Sequence, residues 1–119
     1  AKSVEHGVMF ELPSACMEAQ ELFEVADFGS LGTNDLVLHV FHTDREQGGF
    51  NVFKELAEDR RLWDVIEKVA EAAVASRKNL TVCGEMASQP QFFERFARLG
   101  ITSISVDITK IRKLRTLLA

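Results

Sequence analysis

The sequence predicts an α/β fold of parallel strands joined by crossover helices, and three observations carry that expectation. Short apolar, β-branched runs alternate with longer amphipathic stretches in the order β-α-β-α-β-α-β-α, the pattern of parallel strands returned by helices. The 119 residues, 46% of them hydrophobic, suit one domain over residues 1–119 with one packed core. Polar residues with chemistry in them stand just past the ends of the apolar runs, where folds of this class keep their reactive groups.

"GVMFELP" (7–13) reads as a buried strand closed by Pro13. Ser14 is placed to cap a helix whose apolar positions Cys16, Ala19, Leu22, Phe23 and Ala26 share one face. "DFGSLG" (27–32) is a second strand ending in glycine. "LVLHVFHT" (36–43) stays open between strand and helix, because β-branched content favours one and length the other. "DREQGGFN" (44–51) reads as a polar loop.

Residues 60–77 give the clearest helix, with Leu62, Ile66, Val69 and Ala73 on one stripe and Val65 beside it. "NLTVCGE" is the third strand. Ser88 or Gln89 then caps a helix with Pro90 in its first turn and Gly100 just past its end. Phe92, Phe93 and Phe96 look like core. "ITSISV" is the fourth strand. Asp107 caps a last amphipathic helix through Ile108, Ile111, Leu114, Leu117 and Leu118.

A net charge of −4 argues against a nucleic-acid partner, which requires a concentrated basic face. The charge is uneven: 12 acids against 3 bases in residues 1–59 give −9, and 6 acids against 11 bases in residues 60–119 give +5. Two solvated faces account for that without naming a partner. No apolar run approaches a membrane span. Two cysteines, Cys16 and Cys83, make no disulfide framework and no signal-peptide pattern is present, so a reduced, cytoplasmic setting is expected. The chain begins at Ala1, which fits either a piece of a longer chain or a lost initiator.

Glu11 and Asp35 project from neighbouring strand ends. Two carboxylates so placed suit Mg²⁺, a hard ion that takes one or two carboxylates and completes its shell with water and substrate oxygens. Each also suits a helix N-terminus, where an acid favours the dipole. Thr33 and Asn34, on a turn opened by Gly32, can offer donors to an anion, and Arg45 offers a fork for phosphate or carboxylate. Cys83, with an ordinary pKa of about 8.5, holds its proton at neutral pH and could donate it; a small buried hydrophobe is the plainer fate, and the expected one for Cys16. His6, His39 and His42 share no ligand spacing with a cysteine, which speaks against zinc.

Taken together, "GVMFELPSA", "DFGSLGTNDL", "TDR" and "VCGEMA" resemble the C-terminal part of the PEP-utilising enzymes, nearest to Enzyme I of the phosphotransferase system, ahead of PEP synthase and pyruvate phosphate dikinase. The resemblance covers nearly the whole chain. It implies half of a (β/α)₈ barrel, strands five to eight, from a cytoplasmic transferase that moves the phosphoryl group of phosphoenolpyruvate to a histidine on another domain and releases pyruvate. By the same resemblance Glu11 and Asp35 hold Mg²⁺, Asn34 and Arg45 contact the phosphoryl group with Thr33 beside them, Cys83 protonates the enolate carbon, Gly84 leaves room for substrate, and Glu85 orients its neighbours. The implied partners are the missing first half of the barrel or a second copy of the chain, and a phosphohistidine domain.

The chain departs from the family's usual pattern at Val37-Leu38 (commonly Thr-Gln), at Ser88-Gln89 (commonly Gly-Asp) and at Glu46-Gln47, where an Asn commonly follows. The arginines that the first half of the barrel brings to the substrate are not in these 119 residues, nor is the phosphohistidine motif. The isolated chain is therefore expected to be inactive. A divergent, non-catalytic half-barrel serving regulation or oligomerisation is the alternative. An aldolase- or lyase-type Mg²⁺-enolate barrel fits "GTND" and "CGEMA" less well.

Overall fold

A computed structural model describes residues 4–42 and 55–118. The elements run β1 (Gly7–Phe10), α1 (Pro13–Met17), α2 (Ala19–Val25), β2 (Phe28–Gly32), α3 (Thr33–Val40), α4 (Arg60–Ser76), β3 (Asn79–Cys83), two 3₁₀ turns (Glu85–Ser88 and Pro90–Phe92), α5 (Phe93–Arg98), β4 (Ser103–Ile104) and α6 (Ile108–Leu118). The four strands form one sheet in the order β1-β2-β3-β4, with every pairing parallel. The expected α/β architecture holds, and it is consistent with half of a (β/α)₈ barrel. The loop at 44–51, with Arg45 in it, lies outside the described residues.

The period of two along each strand divides the sheet into unlike faces. Phe10, Leu31, Leu80 and Val82 are buried under the helices. Met9, Phe28, Ser30, Gly32, Thr81 and Cys83 alternate with them on the other face, which no described helix covers; Met9 there is 49% exposed and Phe28 39%. Such asymmetry is what a barrel-type sheet shows when its inner face lacks the strands opposite.

On the covered face α1, α2 and α4 pack together. Cys16, Ala19, Phe23, Leu62, Ile66, Val69 and Ala73 are buried among them, as the apolar spacings of both helices require. Trp63, Phe92 and Phe96 form an aromatic cluster with ring centres 5.2–6.3 Å apart. The Trp63 indole N–H donates to the Ala57 carbonyl at 2.8 Å, which satisfies its one polar atom.

Several elements differ from expectation. The first helix starts one residue earlier than Ser14: Pro13 takes the first helical position, where its missing N–H costs nothing, and Leu12 precedes it without a side-chain cap. The same stretch breaks at Glu18 into α1 and α2. The ambiguous segment is helical up to Val40, in a helix that begins earlier, directly off β2, so that Leu36 and Val37 face the core; Phe41 and His42 form a turn, and Thr43 lies outside the described residues. The segment after β3 opens as two 3₁₀ turns before α5, with Gln89 at the cap position of the second but making no side-chain bond. Gly100 does follow α5, at φ +87°. Asp107 caps α6 as expected: its Oδ1 accepts from the Thr109 N–H at 3.0 Å and hydroxyl at 3.1 Å, and these bonds hold its carboxyl below the usual range. Among the described side chains of the α6 stripe, Leu114 is buried, while Ile108 is 81% exposed and Leu117 55%.

Candidate functional site at the carboxyl ends of the strands

Three strand ends bring the candidate residues together. β1 and β2 pair Phe10 with Leu31, which sets Glu11 beside Gly32. β2 and β3 pair Gly32 with Cys83. Glu11, Gly32 and Cys83 therefore lie in one row on the uncovered face, with Met9 on the same face in the row below, beside Ser30. Glycine in the middle of that row is what lets the carboxylate fold inward: a Cβ at Gly32 would stand 3.2 Å from Glu11 Oε2 and from the Met9 sulfur.

Cys83 is partly buried in this row. Its thiol donates to the Leu31 carbonyl at 3.2 Å. Burial first, and then the negative charge of Glu11, raise its pKa above the ordinary thiol value. The group is thus a held proton rather than a thiolate at neutral pH. Cys16 differs in kind: it is fully buried in the helical layer, and burial pushes its thiol up to about 11. It has no exposure through which to react.

The turns beyond β2 and β3 lock into each other. Thr33 is fully buried, and its hydroxyl donates to the Cys83 carbonyl at 2.6 Å. Asn34 Oδ1 accepts from the Glu85 N–H at 2.8 Å. Gly84 lies between these bonds at φ +97°, ψ −174°, a backbone region open essentially to glycine alone. A Cβ there would stand 2.4 Å from the Thr33 hydroxyl oxygen and 3.0 Å from Asn34 Oδ1. The room that Gly84 leaves is taken by these two protein side chains. The Thr33 hydroxyl proton is likewise committed within the protein, whereas the NH₂ of Asn34 is not the atom used by Glu85.

Asp35 follows Asn34 in the first turn of α3, where the helix dipole favours an acid. Glu11 and Asp35 thus occupy the ends of neighbouring strands, one with its carboxylate folded over Gly32 and one on the helix that β2 enters. Among the described residues, no group of three His, Cys, Asp or Glu side chains is placed to hold a metal ion. Arg45 lies outside the described residues.

Two participants escaped the sequence reading. One is the Thr33 hydroxyl as a tie between two strand ends. The other is Lys110, whose Nζ lies 3.1 Å from Glu85 Oε2 and 3.3 Å from Ser88 Oγ. A signal for Lys110 existed: a cation in the first turn of α6 opposes the helix dipole, so a partner should compensate it.

Comparison with known proteins gives a consistent set of matches. The family model of the PEP-binding domain of PEP-utilising enzymes matches residues 1–119. The chain is 36% identical over 113 residues to the phosphoenolpyruvate-protein phosphotransferase of Streptomyces coelicolor, covering 95% of this chain and 20% of that protein. It is 34% identical over 119 residues to the protein of that name from Chlamydia pneumoniae, covering 98% and 20%. For Mycoplasma capricolum the identity is 32% over 117 residues, again covering 98% and 20%. The chain spans about a fifth of the length of these relatives.

Proposed function

The chain belongs to the PEP-utilising enzymes, as their PEP-binding domain, and from that premise we propose that it forms the PEP- and Mg²⁺-binding part of a phosphotransferase of the Enzyme I type. The observation that carries the reading is the placement of the Cys83 thiol on the uncovered face across from Gly32, with Glu11 in the same row; burial and Glu11 raise its pKa, which favours the protonated form.

In the proposed reaction the bond from phosphorus to the enol oxygen of PEP breaks, and the phosphoryl group passes to a histidine nitrogen on another domain. The enolate left behind takes the Cys83 proton at its methylene carbon and becomes pyruvate, and solvent returns a proton to the thiolate. A thiol suits the step because it keeps its proton at neutral pH yet yields it far more readily than an alcohol. The Asn34 NH₂ donates to the phosphoryl oxygens, with Arg45 as a second contact.

For Mg²⁺, the donor chemistry fits. Glu11 and Asp35 would supply two hard oxygen ligands from neighbouring strand ends, and water and substrate oxygens would take the remaining positions, the usual division for this ion. When bound, Mg²⁺ would neutralise charge that develops on the substrate oxygens. The partners in this reading are PEP and pyruvate, a phosphohistidine domain, and either the first half of a barrel or a second copy of the chain over the open face.

The test grafts this chain in place of the matching fifth of the Streptomyces coelicolor relative. Cys83→Ser should bind PEP as the parent does and form pyruvate about a hundredfold more slowly, the scale of a lost general acid. Cys16→Ser is the control and should change stability rather than rate. A Cys83→Ser graft that turns over PEP at the parental rate removes the proposed role of the thiol. The non-catalytic association module, which the exposed Met9 and Phe28 favour, then becomes the better reading.

A further inference from the structure

One run of hydrogen bonds ties the turn after β2, the turn after β3 and the first turn of α6. The Glu85 N–H donates to Asn34 Oδ1 at 2.8 Å. A backbone N–H can only donate, so this bond decides which way round the Asn34 amide lies: oxygen to the turn, and the NH₂ with no partner among the described residues. The turn that carries this N–H is itself held at both ends. The Ser88 hydroxyl donates to the Glu85 carbonyl at 3.0 Å. Lys110, 25 residues further on, donates to Glu85 Oε2 at 3.1 Å and to Ser88 Oγ at 3.3 Å. A lysine in the first turn of α6 gains nothing from its own helix. Its two bonds to the Glu85–Ser88 turn account for its being there.

We propose that Lys110 is a positioning residue for the Asn34 amide. By bracing Glu85 and Ser88 together it keeps the Glu85 N–H on Asn34 Oδ1, so that the Asn34 NH₂ remains a donor for an anionic substrate oxygen. The identity of that anion as PEP rests on the functional reading above; the bracing does not. Ser88 is one of the positions at which the chain departs from the usual family pattern, so the brace belongs to this sequence rather than to the resemblance.

The chain has three asparagines, at 34, 51 and 79, so asparagine-selective ¹⁵N labelling of the full chain gives an assignable side-chain NH₂ pair for Asn34. Lys110→Met should shift or broaden that pair and leave the Asn79 pair in place, and Lys110→Arg, which can still reach both partners, should restore it. Ser88→Ala gives a second, smaller perturbation in a variant that keeps the ion pair. PEP binding in the presence of Mg²⁺ should weaken about threefold to fivefold in Lys110→Met, the size that a half-exposed pair supports, and recover in Lys110→Arg. An Asn34 pair unmoved by Lys110→Met, or moved equally by Lys110→Arg, overturns the proposal. PEP binding is read in the graft into the Streptomyces coelicolor relative, which restores the rest of the barrel; if the parental graft binds no PEP, the functional reading fails and the resonances of the chain still decide the brace.

Discussion

Cys83 and Cys16 carry the same side chain into opposite fates. Both thiols are raised by burial, but only Cys83 stands on the uncovered face and feels a carboxylate. A raised thiol pKa extends the protonated form to higher pH. A reaction that uses the proton therefore keeps its rate through neutrality and loses it on the alkaline side, as the thiol ionises. Glu11→Gln removes the smaller of the two causes and should move the onset of Cys83 alkylation by iodoacetamide to lower pH, in part only because burial remains. An onset that stays put would show that Glu11 does not act on the thiol. What the sequence makes legible is that these candidates gather at one end: Glu11 follows β1, Cys83 ends β3, and Asn34 and Asp35 come just past the glycine that ends β2, positions that a parallel sheet brings together. The Thr33 and Lys110 contacts were not legible. They join residues 50 and 25 positions apart, and such distances depend on register and on how the turns fold.

Among the elements, the turn after β3 is the most constrained. Gly84 sits in a conformation that costs any other residue on the order of 1–3 kcal/mol, and its missing side chain is filled by Thr33 and Asn34. Gly84→Ala should therefore lower stability by about 2 kcal/mol or more and disturb the bond from Thr33 to the Cys83 carbonyl. Urea unfolding checks the first part; a change within about 0.5 kcal/mol would mean that the turn relaxes freely. The sequence marked this turn only as a glycine after a strand. It gave the helices more plainly where apolar spacing was long and regular, as in α4, and less plainly at α3. There "LVLHVFHT" was read apart from the Thr33-Asn34-Asp35 start that makes it a helix running directly off β2. The 3₁₀ turns at 85–92 carry no periodic signal and could not have been separated from α5 by pattern.

Among the described residues, the helices cover one face of the sheet and leave Met9 and Phe28 on the other, with β1 and β4 as the edge strands. Exposed edges and an apolar face promote association. The 119-residue chain by itself should sediment as a dimer or larger at micromolar concentration, and Phe28→Glu should shift it toward monomer; a parental chain that stays monomeric would count against the open face as a contact surface. The parallel order of the strands has a further outcome, in time rather than in space. The β1–β2 pairing joins Gly7 to Phe28, 21 residues apart, while the β2–β3 pairing joins Phe28 to Asn79, 51 residues apart. Closing the longer loop costs about 0.8 kcal/mol more in chain entropy, so the β2–β3 seam is expected to zip after the β1–β2 seam. The bonds from Thr33 to Cys83 and from Glu85 to Asn34 both cross that later seam. In the proposed reading, the grip of the strand ends on a ligand would therefore form only as the sheet finishes folding, and a ligand spanning Asn34 and Cys83 would slow the seam's reopening.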